Sequence, residues 1–501
     1  YALLLAASTL ITYISGLLID WSNRNPDEQK KKFQRKLWVF LSFSSNLALL
    51  FFFKYFKFAL NNINLLFSNL GLHLINPAFD ILLPIGISFY TFQALSYTMD
   101  IYRGEINAQK NIVKYALFVS FFPQLVAGPI ERSKNLLTQV NKCHLFAFDY
   151  DRAKSGFLLM LWGYFQKVVI ADRLAVYVNA IYADYSKFSG LEIAIASIFF
   201  AFQIYCDFAG YTNIARGAAK ILGFDLMLNF NSPYLSISIQ DFWRRWHISL
   251  STWFRDYLYI PLGGSRCSKL RKYINVMITF LASGLWHGAA WNFIIWGGLH
   301  GLYQLIGQIT KPYKNRLYTY LQINQETALI KTIKIIIVFI LADFALIFFR
   351  APSAKIAFVM IGKILAYFEV YLYLILLISL IFILFRLIAV KKSMKFYLLP
   401  LIPLLSSGIG IMIFRIFTEK SIKLVMIEAM QKEYFIASII LILFLMSYEF
   451  IRQYIGSGRQ WLAKQNAAIR WSIYYLLIFI ILIFGIYGPG YSESQFIYFQ
   501  F

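Results

Sequence analysis

Long apolar runs recur from one end of this chain to the other, over residues 4–19, 38–56, 190–204, 333–349, 370–390 and 473–486. A helix needs about 20 apolar residues to cross the hydrocarbon core of a bilayer. Several such runs in one chain leave few folds open. In lipid the backbone must satisfy its own hydrogen bonds, so helices rather than open sheets are expected. Composition agrees. Hydrophobic residues make up 59% and charged residues 14%, against about 25% charged in soluble domains, and the mean hydropathy is +0.60. The expected fold class is an all-α polytopic membrane protein.

The net charge of +24 has a bland cause. Basic residues gather in the connections between apolar runs, as the positive-inside rule anticipates. The first connection, residues 23–36, carries Arg24, Lys30, Lys31, Lys32, Arg35 and Lys36 and serves as the cytoplasmic anchor of the topology. Lys391, Lys392 and Lys395 mark a second short basic loop. Residues 415–433 and 452–470 carry four basic residues each, so charge does not orient the C-terminal end. No nucleic-acid partner is expected. Cys143, Cys206 and Cys267 lie far apart without a CxxC pair, which supports neither a disulfide framework nor a metal site. An inert buried thiol is a simpler reading of each than a catalytic nucleophile. The chain opens on Tyr1 rather than Met, and its start is expected to be truncated.

Some ten or eleven membrane-embedded segments are expected within a single domain, 1–501. The middle, about 118–302, has shorter apolar stretches interrupted by Gly, Pro and polar residues. Broken segments at membrane depth survive where their backbone faces protein or a cavity, so this is the expected catalytic region. Residues 329–501 read as scaffold helices.

Within the middle, residues 240–259 place Trp243, Trp246, Leu250, Trp253, Phe254 and Tyr257 at steps of three and four. Arg244, Arg245, Arg255 and Asp256 lie opposite. This predicts one amphipathic helix lying in the interface, with tryptophans at headgroup level. His247 falls on its apolar face, where packing is the simpler reading. Residues 274–301 contain a run ending in Trp286–His287–Gly288. A titratable group inside the bilayer is a functional hypothesis by default. Histidine suits general acid–base chemistry because a near-neutral pKa lets it take a proton and return it; helix packing is the competing reading. Gly284, Gly288, Ala289 and Ala290 would admit a substrate or a helix.

Asp207 follows a long apolar run and needs a partner, either a histidine that it orients or, more simply, Arg216. Glu131 and Arg132 in the Gly128–Pro129–Ile130 break read as a loop anchor. His300 reads as packing. No phosphate-binding GxxxxGK[ST], GxSxG elbow or HExxH zinc motif occurs, which leaves a histidine-based mechanism.

At these residues the chain resembles the membrane-bound O-acyltransferase family, in particular the bacterial branch of alginate, peptidoglycan and cellulose O-acetylation. The resemblance rests on FFPQLVAGPIERSKNLLTQ (121–139), FQIYCDFAGYTNIARGAAKILGF (202–224), NFNSPYLSISIQDFWRRWHISLSTWFRDYLYIPLGG (229–264), GLWHGAAWNFIIWGGLHG (284–301) and SQFIYFQF (494–501). It implies a ring of transmembrane and re-entrant helices around a thin centre with a cytoplasmic funnel. It also implies that His287 is the catalytic histidine and His247 the second signature histidine. Where the branch commonly has Tyr-Ser-Asp, this chain has Tyr211–Thr212–Asn213.

The function expected from the resemblance is transfer of acetyl from cytoplasmic acetyl-CoA across a bacterial inner membrane, for O-acetylation of an extracytoplasmic polysaccharide. No permanently bound cofactor is implied. The expected partners are membrane lipid and either the polymer or a periplasmic SGNH-type acetyltransferase. His287 would act as base, with His247 assisting. Trp246, Arg244 and Arg245 would contact substrate, and an indole N–H or Asn292 would stabilise the oxyanion. Arg244, Arg245, Arg255, Arg266, Lys269, Arg271 and Lys272 would attract the donor's phosphates. Two rivals stand beside this reading. One is D-alanyl transfer from a carrier-protein thioester to teichoic acid, and the other a non-enzymatic carrier or channel.

Overall fold

The computed structural model describes residues 2–76, 81–366, 429–456 and 458–487. Among the described residues the chain is helical and no strand occurs. Among the described residues six helices are long and apolar enough to cross a membrane: Ala2–Ser22, Glu28–Asn69, Gly190–Ile221, Ala328–Arg350, Lys432–Gln453 and Ala467–Phe484. They hold the apolar runs read from the sequence, the last of which outruns its helix by two residues, except 370–390, which lies outside the described residues. So do the Lys391–Lys395 loop, most of 415–433 and the ending 494–501.

In chain order, α1 (Ala2–Ser22) and α2 (Glu28–Leu50) form a hairpin across the basic loop. A π turn, Phe51–Tyr55, carries α2 into α3 (Phe56–Asn69). Next come α4 (Ile87–Arg103), the short α5 (Ile112–Val119) and α6 (Ser133–Lys142), then α7 (Tyr150–Tyr164) and α8 (Asp172–Ala183). The central element is α9 (Gly190–Ile221), buried along most of its length. Its start is fixed by a capping box between Ser189 and Glu192, which satisfies two orphan N–H donors reciprocally. Helix α7 lies against it through small residues: a Cβ on Gly163 would sit 2.6 Å from the Gly210 carbonyl oxygen. Close backbone approach of this kind replaces the hydrophobic drive that lipid cannot supply between helices.

Two short helices, α10 (Ile239–Arg245) and α11 (Ile248–Phe254), follow, with a π turn at Arg255–Tyr259. The region read as one interfacial helix is therefore broken at Trp246–His247. Its tryptophans also differ from expectation. Trp243, Trp246 and Trp253 are buried in the main core rather than held at headgroup level, because α4, α9 and α13 cover their face. Helices α12 (Lys269–His287) and α13 (Trp291–Tyr320) form an antiparallel hairpin, followed by α14 (Ala328–Arg350), α15 (Ala354–Leu365) and α16 (Lys432–Ile455).

The basic loop defines one end of the molecule. Arg35 bonds the Tyr102 carbonyl. Arg103 reaches the Asp256 carbonyl at 2.8 Å, and Arg132 pairs with the Asp256 carboxylate at 3.2 Å. Helix α12 starts near this end, its foot held where Asn275 donates to the Gly264 carbonyl at 3.3 Å. After the polar first turn ending at Tyr273, fourteen further residues lead to His287, a rise of roughly 21 Å along the helix at 1.5 Å per residue. That rise is shorter than a hydrocarbon core of about 30 Å.

Candidate active site

His287 is the last residue of α12, and the chain turns back through Gly288, Ala289 and Ala290 into α13. The two helices close like a zip. A Cβ on Gly284 would lie 2.3 Å from the Phe293 carbonyl oxygen, and one on Gly297 equally close to that of Phe280. This approach sets the His287 ring edge-on to Trp296, with centroids 4.9 Å apart, and 5.3 Å from Phe349 of α14. Behind it, Trp286 packs against Phe89 and Phe92 of α4 at 5.3 and 5.5 Å.

His247 stands across from His287, ring centroids 6.4 Å apart, and is wholly buried. Its backbone is left-handed, φ 43° and ψ 55°, a conformation uncommon for residues other than Gly, although Asn, Asp and His adopt it more often than the rest. The neighbouring chain fixes it there. Ile248 N–H donates to the Asn229 carbonyl at 2.9 Å, and Ser249 Oγ donates to Asn229 Oδ1 at 2.6 Å. Asn231 N–H also donates to the Arg245 carbonyl at 2.9 Å. The His247 carbonyl then accepts the first bond of α11 from Ser251.

A third histidine completes the group. Trp243 Nε1 donates to His300 Nδ1 at 3.3 Å, which makes His300 the neutral Nε2–H tautomer. His300, read from the sequence as packing, shares with His287, Trp246 and Trp296 the wall of a cavity of about 10 Å³, roughly the space one water needs. Trp296 Nε1 is buried there without a hydrogen-bond partner among the described residues.

The other candidate residues are placed as follows. Trp246 stacks on Phe242 at 5.5 Å and lines the cavity. Asn292 donates to the Phe348 and Ala351 carbonyls at 3.2 and 3.0 Å, so its amide nitrogen pins the end of α14. Arg244 is exposed, while Arg245 pairs with Asp241 at 3.0 Å. Asp207 pairs with Lys167, which also holds Asp172 at 2.7 Å. Arg216, the partner expected for Asp207, donates instead to the Leu226 carbonyl at 3.2 Å. Glu131 accepts from Met227 N–H and from Asn135. Burial pushes its carboxyl up to about 7, against those hydrogen bonds and the nearby Arg216 and Arg132. Asn213, at the motif departure, bonds Gln166 at 2.7 Å. Among the described residues no group of His, Cys, Asp and Glu could hold a metal ion.

Sequence reasoning missed Lys54 and Tyr55, whose side chains reach the carbonyls at the end of α12. The available signal was a lysine inside the apolar run 38–56, which the bilayer makes costly.

Residues 105–351 match the model of the membrane-bound O-acyltransferase family. The "Probable alginate O-acetylase AlgI" of Pseudomonas aeruginosa is 38% identical over 358 residues, covering 71% of this chain and 64% of that protein. The peptidoglycan O-acetyltransferase of Helicobacter pylori is 36% identical over 383 residues, covering 71% and 68%. The teichoic acid D-alanyltransferase of Bacillus subtilis is 28% identical over 264 residues, covering 51% and 66%. The chain spans about half to two thirds of the length of the curated relatives it matches.

Proposed function

Because the chain belongs to the membrane-bound O-acyltransferase family, we propose that it takes acetyl from acetyl-CoA on the cytoplasmic side of the inner membrane and passes it outward for O-acetylation of a polysaccharide. The observation that carries this reading is His287, set at the end of α12, on a cavity, with His247 6.4 Å away. Proton transfer by a positioned histidine is the chemistry such a group can perform.

A ring nitrogen of His287 takes the proton of the acceptor hydroxyl. The oxygen attacks the thioester carbonyl, a C–O bond forms, and the carbonyl electrons move onto oxygen. Collapse of the tetrahedral adduct breaks the C–S bond, and the thiolate takes the proton back from His287. Ester and free CoA–SH balance the reaction. Trp296 Nε1–H, buried on the cavity wall, suits the developing oxyanion, whereas the Asn292 amide is already engaged with carbonyls. His247 positions the thioester from across the ring pair. With room for about one water, the cavity admits donor and acceptor only when its aromatic wall moves. The acceptor is the polymer itself or a periplasmic SGNH-type acetyltransferase.

Membranes carrying wild-type or His287→Ala protein are incubated with labelled acetyl-CoA, and free CoA and label on protein or acceptor are followed. Turnover in the wild type, abolished in the variant at equal expression, is expected. Equal turnover in both removes His287 from the chemistry. Release from a D-alanyl carrier-protein thioester, with acetyl-CoA untouched, replaces acetyl by D-alanyl.

A further inference from the structure

A helix that ends inside a membrane poses a problem that this chain solves from outside the helix. The last carbonyls of α12 have no intrahelical donors, and hydrocarbon offers none. The Gly284 carbonyl is taken by Gly288 N–H at 3.4 Å. The next three are reached by two adjacent side chains of the π turn between α2 and α3. Tyr55 Oη donates to the Leu285 carbonyl at 3.1 Å. Lys54 Nζ donates to the Trp286 carbonyl and, at 3.4 Å, to that of His287. A further bond to Ser88 Oγ at 3.1 Å gives the three N–H groups of the ammonium three acceptors. The same ammonium lies 5.6 Å from the Trp286 ring centroid, a cation–π distance. Its positive charge also meets the negative end of the helix dipole.

We infer that Lys54, assisted by Tyr55, is a positioning residue for His287: the π turn at Phe51–Tyr55 clamps the end of α12 and so fixes where the histidine ring stands. The inference rests on the acyl-transfer reading for its catalytic consequence, but the clamp itself does not. The turn's geometry matters because a π turn departs from the α-helical register, a device frequent at functional sites. Here it turns Lys54 and Tyr55, consecutive in sequence, onto one target. The Lys54 ammonium touches the backbone and indole of Trp286 and the backbone carbonyl of His287. It acts through the frame that carries the ring and takes no proton in the reaction.

The test pairs turnover with amide hydrogen exchange across residues 285–290. Lys54→Met should exchange faster there, with α9 unchanged. Its kcat should fall about 100-fold, as a displacement near 1 Å costs, with KM for acetyl-CoA within about two-fold. Lys54→Arg, which keeps charge and donors, should recover part of kcat, an outcome that bulk destabilisation would not give. Should Lys54→Met fail to assemble, Tyr55→Phe removes a single bond, and a local rise in exchange with a several-fold loss of kcat is expected. Wild-type exchange at 285–290 in these variants overturns the clamp whatever the turnover. Faster exchange with unchanged kcat overturns the positioning role. Local exchange changes without any wild-type turnover defeat the acetyl-transfer reading and leave the clamp standing.

Discussion

A left-handed backbone costs an L-residue about 1–2 kcal/mol, and His247 adopts one while wholly buried. Such strain persists only where the surroundings over-determine it, and it gathers at functional sites. Asn229 and Ser249 supply the constraint here. His247→Asn separates the two readings of this residue. Asparagine tolerates the same backbone region, so the variant should assemble as the wild type does. If the imidazole serves the reaction, turnover should fall by about 10²-fold or more in the labelled acetyl-CoA assay. Wild-type turnover in a folded variant would make His247 a packing residue. Both His247 and His287 were legible through the motifs around them. The break at 247 was not, for a definite reason. Helices α10 and α11 bury the same side, so the spacing of Trp243, Trp246, Leu250 and Trp253 runs through the break as if the helix were continuous.

At the scale of elements, the α12–α13 hairpin decides whether His287 meets Trp296 at all. Gly297 and Gly298 are adjacent in sequence but face different surroundings. A Cβ on Gly297 would lie 2.3 Å from the Phe280 carbonyl oxygen, whereas one on Gly298 would find only the Leu281 Cδ2 at 3.5 Å. Gly297→Ala should therefore part the helices at a cost of about 1–3 kcal/mol, typical of overpacking, and impair turnover. Gly298→Ala should be neutral or stabilising by about 0.5–1 kcal/mol, since alanine loses less freedom in a helix. Thermal unfolding in detergent measures both, and equal effects would refute the close seam. Long elements such as α9 and α14 were plain from hydropathy, since lipid imposes length and apolarity on each span separately. What spacing could not supply is contact between elements distant in sequence. Lys167 rather than Arg216 answers Asp207, and Lys54 meets the end of α12 across 232 residues.

For the whole molecule the consequence is sidedness. The basic loop at 23–36, Arg103, Arg132 and Asp256 belong to one end. The Asp225 loop joins them: its N–H donates to Gln139 of α6 at 2.7 Å, and its carboxylate meets Arg152 at 3.2 Å. Arg216, Lys220 and Arg459 lie within electrostatic reach of each other there. By the positive-inside rule such a density of positive charge would face the cytoplasm, where it would also draw the proposed polyphosphate donor. On that orientation α12 would carry His287 away from the compartment of the proposed donor, and the acceptor would meet the histidine from beyond it. Sealed vesicles of defined orientation put this to the test. Inside-out vesicles should consume external acetyl-CoA, with initial rates falling as salt screens the attraction. Right-side-out vesicles should consume it only after permeabilisation. Were the preference reversed, the basic end would face outward and the acceptor would have to enter past the charges assigned to the donor. Equal rates from both faces would mean that the donor reaches His287 from either side, so that the aromatic wall around the histidine does not separate the two compartments, and directional transfer across the membrane would be refuted.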